Sequence, residues 1–396
     1  MYLDASYEKA GWAPNLDVSG VAGYYDIKSN PANPAYTLFP AGAIPGFPNG
    51  MIGNPGHAEQ HTHASVTAVY TGFEQHRLRA GTGYSVDDLY QTQEFKNFDA
   101  NYAPLPSVIN ASANPALVFL LPHKRNVTFA FAQDEYSFAR DWTLTAGIRQ
   151  DNYSDFGGTT NPRLALVWDA SYNIVVKAMH GTAFRAPSFT ELYNINNPVT
   201  IGNARLKPET ITTDELGFSW QPTDKLKTSL SYFQYHIRNI ILPVGTTYLN
   251  SGGQTGRGFE FEATFEAAGN LRLTGNVSVQ HSKDEATGLD AGLAPHQRAF
   301  ARADWRFVPL WQFGTTINRV SGRMREPGDT RPLIPDYTTV DLILRREKLA
   351  NNWEVSAKVM NLFNSDAREP TFKAVGMTSD LPLPGRAVYL QIQHSL

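Results

Sequence analysis

Few residues of this 396-residue chain are placed to do chemistry. It holds no nucleophile elbow, no phosphate-binding glycine loop and no His-Glu-x-x-His helix motif. Paired carboxylates such as Asp284-Glu285 read as solvated loop residues. Cysteine is absent, which excludes disulfides, thiol chemistry and thiolate metal sites. One cluster has metal-ligand character: His57, His61 and His63. Imidazoles at this spacing suit a transition metal or haem iron. The other reading is a solvated loop edge, because a flexible loop beside a strand start need not hold the three rings together. The expectation is a chain that is not an enzyme and carries no cofactor, with these histidines as the only metal candidates.

The elements that must position such residues are strands. The formal charge of −3 gives no basic block for nucleic acid. With 18 Tyr, 22 Phe and abundant Gly and Pro, the composition suits many strands and turns. No apolar run approaches the ~18 residues of a membrane helix. The longest, Ala116 to Leu121, is trapped between Pro115 and Pro122. Period-two alternation, by contrast, runs almost end to end. The first strand is read at Leu16 to Ile27, followed by an aperiodic loop to about Gln60. The spacing predicts about sixteen strands of barrel-spanning length, taking ~9–11 residues as sufficient to cross. Long connections are read around Gly42, Asn110, Gly157, Asn196, Ser251, Ala286, Pro327 and Ser379. Short ones are read around Glu74, Arg140, Ser171, Thr223, Gly269, Pro309 and Asn351. Outer-membrane barrels have this parity, with short periplasmic turns and long extracellular loops.

The polar rows decide between barrel and sandwich. Phe259, Phe261 and Phe265 alternate with Glu260, Glu262 and Glu266, and the next strand carries Arg272. Arg302, Asp304 and Arg306 alternate with Ala303 and Trp305. In a barrel these charges line a wet lumen; in a soluble sandwich they form a solvated face. Persistence over so many strands, with both charge signs on the polar face, favours an all-β, antiparallel transmembrane β-barrel.

Gly181 to Phe218 is the stretch around which the chain is organised. Phe184-Arg185-Ala186-Pro187-Ser188 opens a long loop, with Glu191-Leu192 following, and Leu206-Lys207-Pro208-Glu209 closes it. This resembles the large outward loop of TonB-dependent outer-membrane receptors. Trp142 to Arg149, the run Gly256-Arg257-Gly258-Phe259-Glu260, Asn361-Leu362-Phe363-Asn364 and Pro384-Gly385-Arg386 resemble further stretches of that family. The likeness covers about Gln60 to Leu396.

The resemblance implies a barrel of 22 strands, of which about sixteen are present. Residues 1–396 then form a partial receptor barrel domain. The first strands, the plug domain and the TonB-contacting segment would be missing, and no signal peptide opens at Met1. Leu396 and His394 depart from the family's usual ending. The implied place is the Gram-negative outer membrane, as a monomer in lipid with no nucleic-acid partner. The implied work is capture and TonB-coupled uptake of a metal complex: a ferric siderophore first, with cobalamin and haem behind it. Haem receptors of the family carry a histidine in this loop, and Phe184 to Leu206 has none. Arg185, Tyr193, Arg205, Tyr248, Arg323, Arg325 and Arg331 are the expected contacts for an anionic, aromatic chelate. Arg185 and Glu191 have a second reading, as the pair that orders the loop itself. A passive porin and a truncated receptor without transport remain the alternatives.

Overall fold

The computed structural model describes residues 1–31, 36–349, 352–371 and 379–394. Its contacts gather them into two compact units. Unit one comprises Met1–Leu166, His180–Thr212 and Ile237–Gly253; unit two comprises Val167–Met179, Thr213–His236 and Gln254–Leu396.

The first eight strands lie in unit one: β1 (Tyr2–Ala13), β2 (Leu16–Ser29), β3 (Thr37–Phe39), β4 (Met51–Tyr70), β5 (His76–Phe98), β6 (Pro104–Asn110), β7 (His123–Ala139) and β8 (Trp142–Tyr153). Antiparallel pairing runs β1–β2–β4–β5–β7–β8. Next come β9 (Gly157–Ser171), β10 (Ile174–Arg185), the one-turn helix α1 (Phe189–Tyr193), β11 (Glu209–Thr223), β12 (Leu226–Val244) and β13 (Thr247–Ala268). The rest are β14 (Leu271–Asp284), β15 (Pro295–Val308), β16 (Trp311–Arg323), β17 (Tyr337–Leu349), β18 (Trp353–Met360), β19 (Arg368–Glu369), β20 (Leu381–Pro382) and β21 (Ala387–His394). In unit two the antiparallel order β14–β15–β16–β17–β18–β21 is continuous. The chain is therefore nearly all-β, as its period-two pattern requires.

Burial separates a membrane barrel from a sandwich. On β13 and β14, Phe259 and Val277 are 53% and 45% exposed, and Leu390 on β21 is 79% exposed. A soluble protein would hide these rows; lipid is the solvent that accepts them. The opposite face carries the charges. Glu266 pairs with Arg272 across β13–β14 at 3.4 Å, and Arg302 with Asp304 along β15 at 2.6 Å. Glu260 and Glu262 stand opposite Ser278 and Asn276, and Arg306 reaches Glu347 at 3.8 Å. Buried apolar clusters occur instead where loops of unit one meet strand ends. One joins Phe47, Met51, Phe98 and Phe119; the other joins Leu192, Leu206 and Ile241.

Several expected boundaries move. β1 adds a strand ahead of the first one expected, joined to β2 by Pro14 and Asn15, the latter with φ 60°. The loop expected to last to Gln60 ends at Gly50, because β4 pairs with β2 back to His57, with β5 back to Gly53 and with β3 at Met51 and Ile52. The long connections expected at Gly157 and Ser251 shrink to residues 154–156 and 245–246. There the strands simply continue, and Gly245 turns the chain at φ 62°. The turn residue Asn351 and the terminal Leu396 lie outside the described residues.

Candidate ligand-binding site

The loop between β10 and β11 is built by its own polar residues. Ser188 caps α1: its hydroxyl accepts the Glu191 N–H at 3.2 Å, and the Glu191 carboxylate accepts the Ser188 N–H at 2.8 Å. This capping box satisfies two otherwise orphaned donors. Arg185, at the end of β10, then clamps two carboxylates. It donates to Glu191 at 2.9 and 3.0 Å and to Glu209 at 2.7 and 2.8 Å. Burial alone would push the Glu191 carboxyl up, but Arg185 and the Ser188 N–H outweigh it and hold it low. Beneath the clamp, Leu192 and Leu206 are 2% and 3% exposed, with Tyr193 and Tyr248 packed against them. The position of Gly202 admits no side chain, since a Cβ there would lie 2.5 Å from the Asn194 nitrogen.

A second loop, residues 99–122, is stitched onto the first. Asn196 donates to the Pro115 and Val118 carbonyls at 3.1 and 3.0 Å, and the Ile195 N–H donates to the Phe119 carbonyl at 2.7 Å. The two loops and the far ends of β4 and β5 enclose a cavity of about 490 Å³. Tyr25, His57, His61, Asp87, Arg125 and Phe189 are among its lining residues.

The walls of the cavity are acid-rich and partly preorganised. His61 Nδ1 meets Asp87 at 2.5 Å and its ring stacks on Tyr25 at 4.9 Å. Arg125 is spoken for: it donates to Asp155 at 2.7 Å and to the Pro187 carbonyl at 2.8 Å, with its guanidinium over Phe189 at 4.8 Å. Glu94 lines one end, and Lys96 lies behind it on the same strand; each is 1% exposed. Lys96 donates to the Leu117 carbonyl at 2.5 Å and sits 4.3 Å over the Phe98 ring. Burial pushes the Glu94 carboxyl up to about 7, against the pull of Lys96 and of two backbone N–H groups. Glu94 stands near the end of β5 remote from the 71–75 turn. At ~3.3 Å per residue, that is well past an apolar band of about 25 Å.

The expected contact residues divide. Tyr193 packs edge-on against His123 at 4.0 Å, and Tyr248 packs against the Leu192 cluster. Arg205 is exposed on the loop. In unit two, Arg323 is 2% exposed, donates to the Arg368 and Pro335 carbonyls and lies over Tyr337. Arg325 forks onto Asp380 at 2.7 and 2.9 Å. Arg331 binds Asp329 at 2.6 Å and Thr371 at 2.8 Å. These three arginines tie the 324–336 loop to Arg368, Thr371 and Asp380, which occupies most of their donors, although the buried Arg323 Nε has no partner among the described residues. His57, His61 and His63 share one face of β4, not a loop. His61 is committed to Asp87, and the three rings do not bring ligand atoms together at metal spacing.

The sequence reading missed Asp87, Glu94, Lys96 and Arg125. Asp87, Glu94 and Lys96 lie on a strand read as an ordinary crossing segment from Arg77 to Phe98, and Arg125 lies just ahead of the strand read from Val127, on what the structure shows to be the start of β7.

Comparison with known proteins agrees with this architecture. The family profile described as TonB dependent receptor-like, beta-barrel, matches residues 2–362. The vitamin B12 transporter BtuB of Vibrio cholerae is 30% identical over 190 residues, covering 46% of this chain and 30% of that protein. The copper transporter OprC superposes with a TM-score of 0.75 at 17% identity, over 99% of this chain and 64% of that one. The siderophore receptor PirA from Acinetobacter baumannii gives 0.75 at 17%, over 100% and 62%. The chain thus spans less than a third of that curated relative and under two thirds of either solved structure. On the strength of the family match and the lipid-ready strands, this chain belongs to the TonB-dependent receptors, as part of a β-barrel of the Gram-negative outer membrane.

Proposed function

We propose that the chain is the barrel portion of a receptor for TonB-coupled uptake of a metal chelate, a ferric siderophore in the first instance, working as a monomer in outer-membrane lipid. The observation that carries this reading is the cavity under the two stitched loops. It combines stacking rings, Tyr25 and Phe189, with hydrogen-bonding groups on a held frame. Such a volume suits a small, compact ligand. A passive pore needs no such cavity. The barrel makes and breaks no covalent bond; its work is selection and passage.

The cavity refines the substrate class. Asp87, Asp88, Glu59 and Glu94 line it, and its arginine is already neutralised by Asp155. An acid-rich wall repels a highly anionic tricatecholate and accepts a chelate without net negative charge, such as a ferric trihydroxamate. The polar rows with Glu260, Glu262, Glu266, Arg272, Arg302, Asp304 and Arg306 would face the lumen. They would meet either a plug or the passing ligand. Tyr193, Arg205 and Tyr248 keep a ligand-facing role only at the loop's outer surface.

The test is direct binding to the full receptor in detergent, with ferric trihydroxamate, ferric tricatecholate, cobalamin and haemin as probes. Saturable binding of the trihydroxamate, weakened about tenfold or more by Tyr25→Ala or His57→Ala, is the expected result. Saturable binding of cobalamin or haemin alone would overturn the siderophore reading.

A further inference from the structure

We propose a divalent transition-metal site at the β14–β15 connection, formed by His281, Asp290 and His296. One ligand atom from each residue lies within 4.8 Å of the others. His296 Nε2 meets an Asp290 carboxylate oxygen at 2.6 Å, and the His281 and His296 rings are 4.4 Å apart. Regular pairing of β14 with β15 stops at Val279 opposite Gln297, and beyond that point the two strands leave the register that would set His281 and His296 on opposite faces, which lets the two rings meet.

The third ligand is held in place by backbone. Asp290 forms a bridge with Lys283, and its other carboxylate oxygen accepts the Gly292 N–H at 2.9 Å. Gly292 has φ 78°, and a Cβ there would meet Arg325 and Glu326 backbone atoms at 2.5 Å. The Leu293 N–H donates to the Met324 carbonyl at 2.8 Å. The connection is thus pinned to its neighbour before any ion arrives. Gly322 makes the room beside His296, since a Cβ at that position would sit 3.0 Å from the histidine's own.

The chemistry of the donors selects the ion. Two imidazoles and one carboxylate suit Zn²⁺, Cu²⁺ or Ni²⁺ and disfavour Mg²⁺ or Ca²⁺. Three protein ligands leave one tetrahedral position open to water. Tetrahedral ligand atoms at Zn²⁺ distances lie about 3.4 Å apart, so the His296–Asp290 contact needs to open by less than 1 Å. His281 is exposed and His296 and Asp290 are about one-fifth exposed, which leaves an entry path. Lys283, across the bridge from Asp290, and Arg257, opposite His281 on β13, are nearby cations that oppose binding. A simple hydrogen bond and ring contact is the plain alternative, and it predicts no metal affinity.

This site does not depend on which chelate the receptor carries. The test is titration of the full receptor in detergent with ZnCl₂ by calorimetry and with CoCl₂ by visible absorption. The expected result is one-to-one saturable binding that excess MgCl₂ does not displace, with affinity lost tenfold or more in His296→Gln and in His281→Gln. His281 is exposed, so its substitution spares the fold. His76→Ala, at a histidine bonded to Asp134 in unit one, should leave Zn²⁺ binding unchanged. Equal affinity in the His281→Gln, His296→Gln double variant, or no saturable binding at all, would overturn the proposal.

Discussion

Arg185 and Glu191, six residues apart, face each other through two parallel hydrogen bonds of 2.9 and 3.0 Å. The same guanidinium forks onto Glu209 on the loop's exit strand. The arginine therefore closes the loop's base. Arg185→Ala should leave two half-buried carboxylates facing each other and loosen residues 186–208 by roughly 1–3 kcal/mol. Hydrogen exchange and limited proteolysis of that segment check it. Arg185→Lys should not rescue, because an ammonium cannot fork onto two carboxylates. Intact loop protection with weaker ligand binding would instead make Arg185 a ligand contact.

Glu94 makes the loop core pH-dependent. Its folded carboxyl is raised to about 7 by burial, above an ordinary value of 4.5. The folded state therefore holds a proton that the unfolded chain releases. The associated stability is full below about 4.5 and is lost as pH rises through about 7, a change on the order of 3 kcal/mol. Amide protection of Asn54 and Phe119 should fall between pH 5 and pH 8. Glu94→Gln should flatten that dependence.

Gly202 has a packing role that a single methyl tests. Its Cβ position is filled by backbone atoms of Leu192, Tyr193 and Asn194 at 2.5 to 2.7 Å. Gly202→Ala should cost about 1–3 kcal/mol locally, and expose the Leu192–Leu206 cluster to protease. Unchanged protease resistance would show that the loop can shift to accept the methyl.

The two faces of β14 should respond differently to charge. Val277 lies mid-strand, opposite Phe261 and Ala299 on its neighbours, on the exposed apolar row. Val277→Arg should cost about 2–4 kcal/mol in folding into lipid vesicles, and Asn276→Arg, one residue away on the polar face, much less. Equal costs would mean that this row does not meet lipid.

Much of this architecture was legible because membrane strands alternate without interruption. Phe259, Glu260, Phe261 and Glu262 announce their faces one by one, and both halves of the outward loop carry recognisable residues. Strand ends were less legible. Glycine and asparagine around Gly157 and Ser251 look like loop composition, yet the backbone there continues as strand into a tight hairpin. Arg185 and Glu191 were legible as a pair six residues apart, but ionic partners distant in sequence were not. Nothing local says that Arg325 will fork onto Asp380, 55 residues on, or that Arg323 will be buried under Tyr337. An arginine in a loop reads as available until its carboxylate is located. The same blindness hid His281, Asp290 and His296, which meet only through the folded β14–β15 connection.

The short strand β6 has a consequence for how the chain assembles. It folds back on β5, with Phe95 opposite Asn110 and Lys96 opposite Ile109, before β7 takes its place on the same strand. The excursion between β5 and β7 can thus close in two stages. The first is a hairpin, of a kind that forms in about 1–10 μs. The second needs only the remaining half of the connection, and each halving of a loop saves about 0.6 kcal/mol of closure entropy. On that arithmetic β6 would shorten the search by which β7 finds its register.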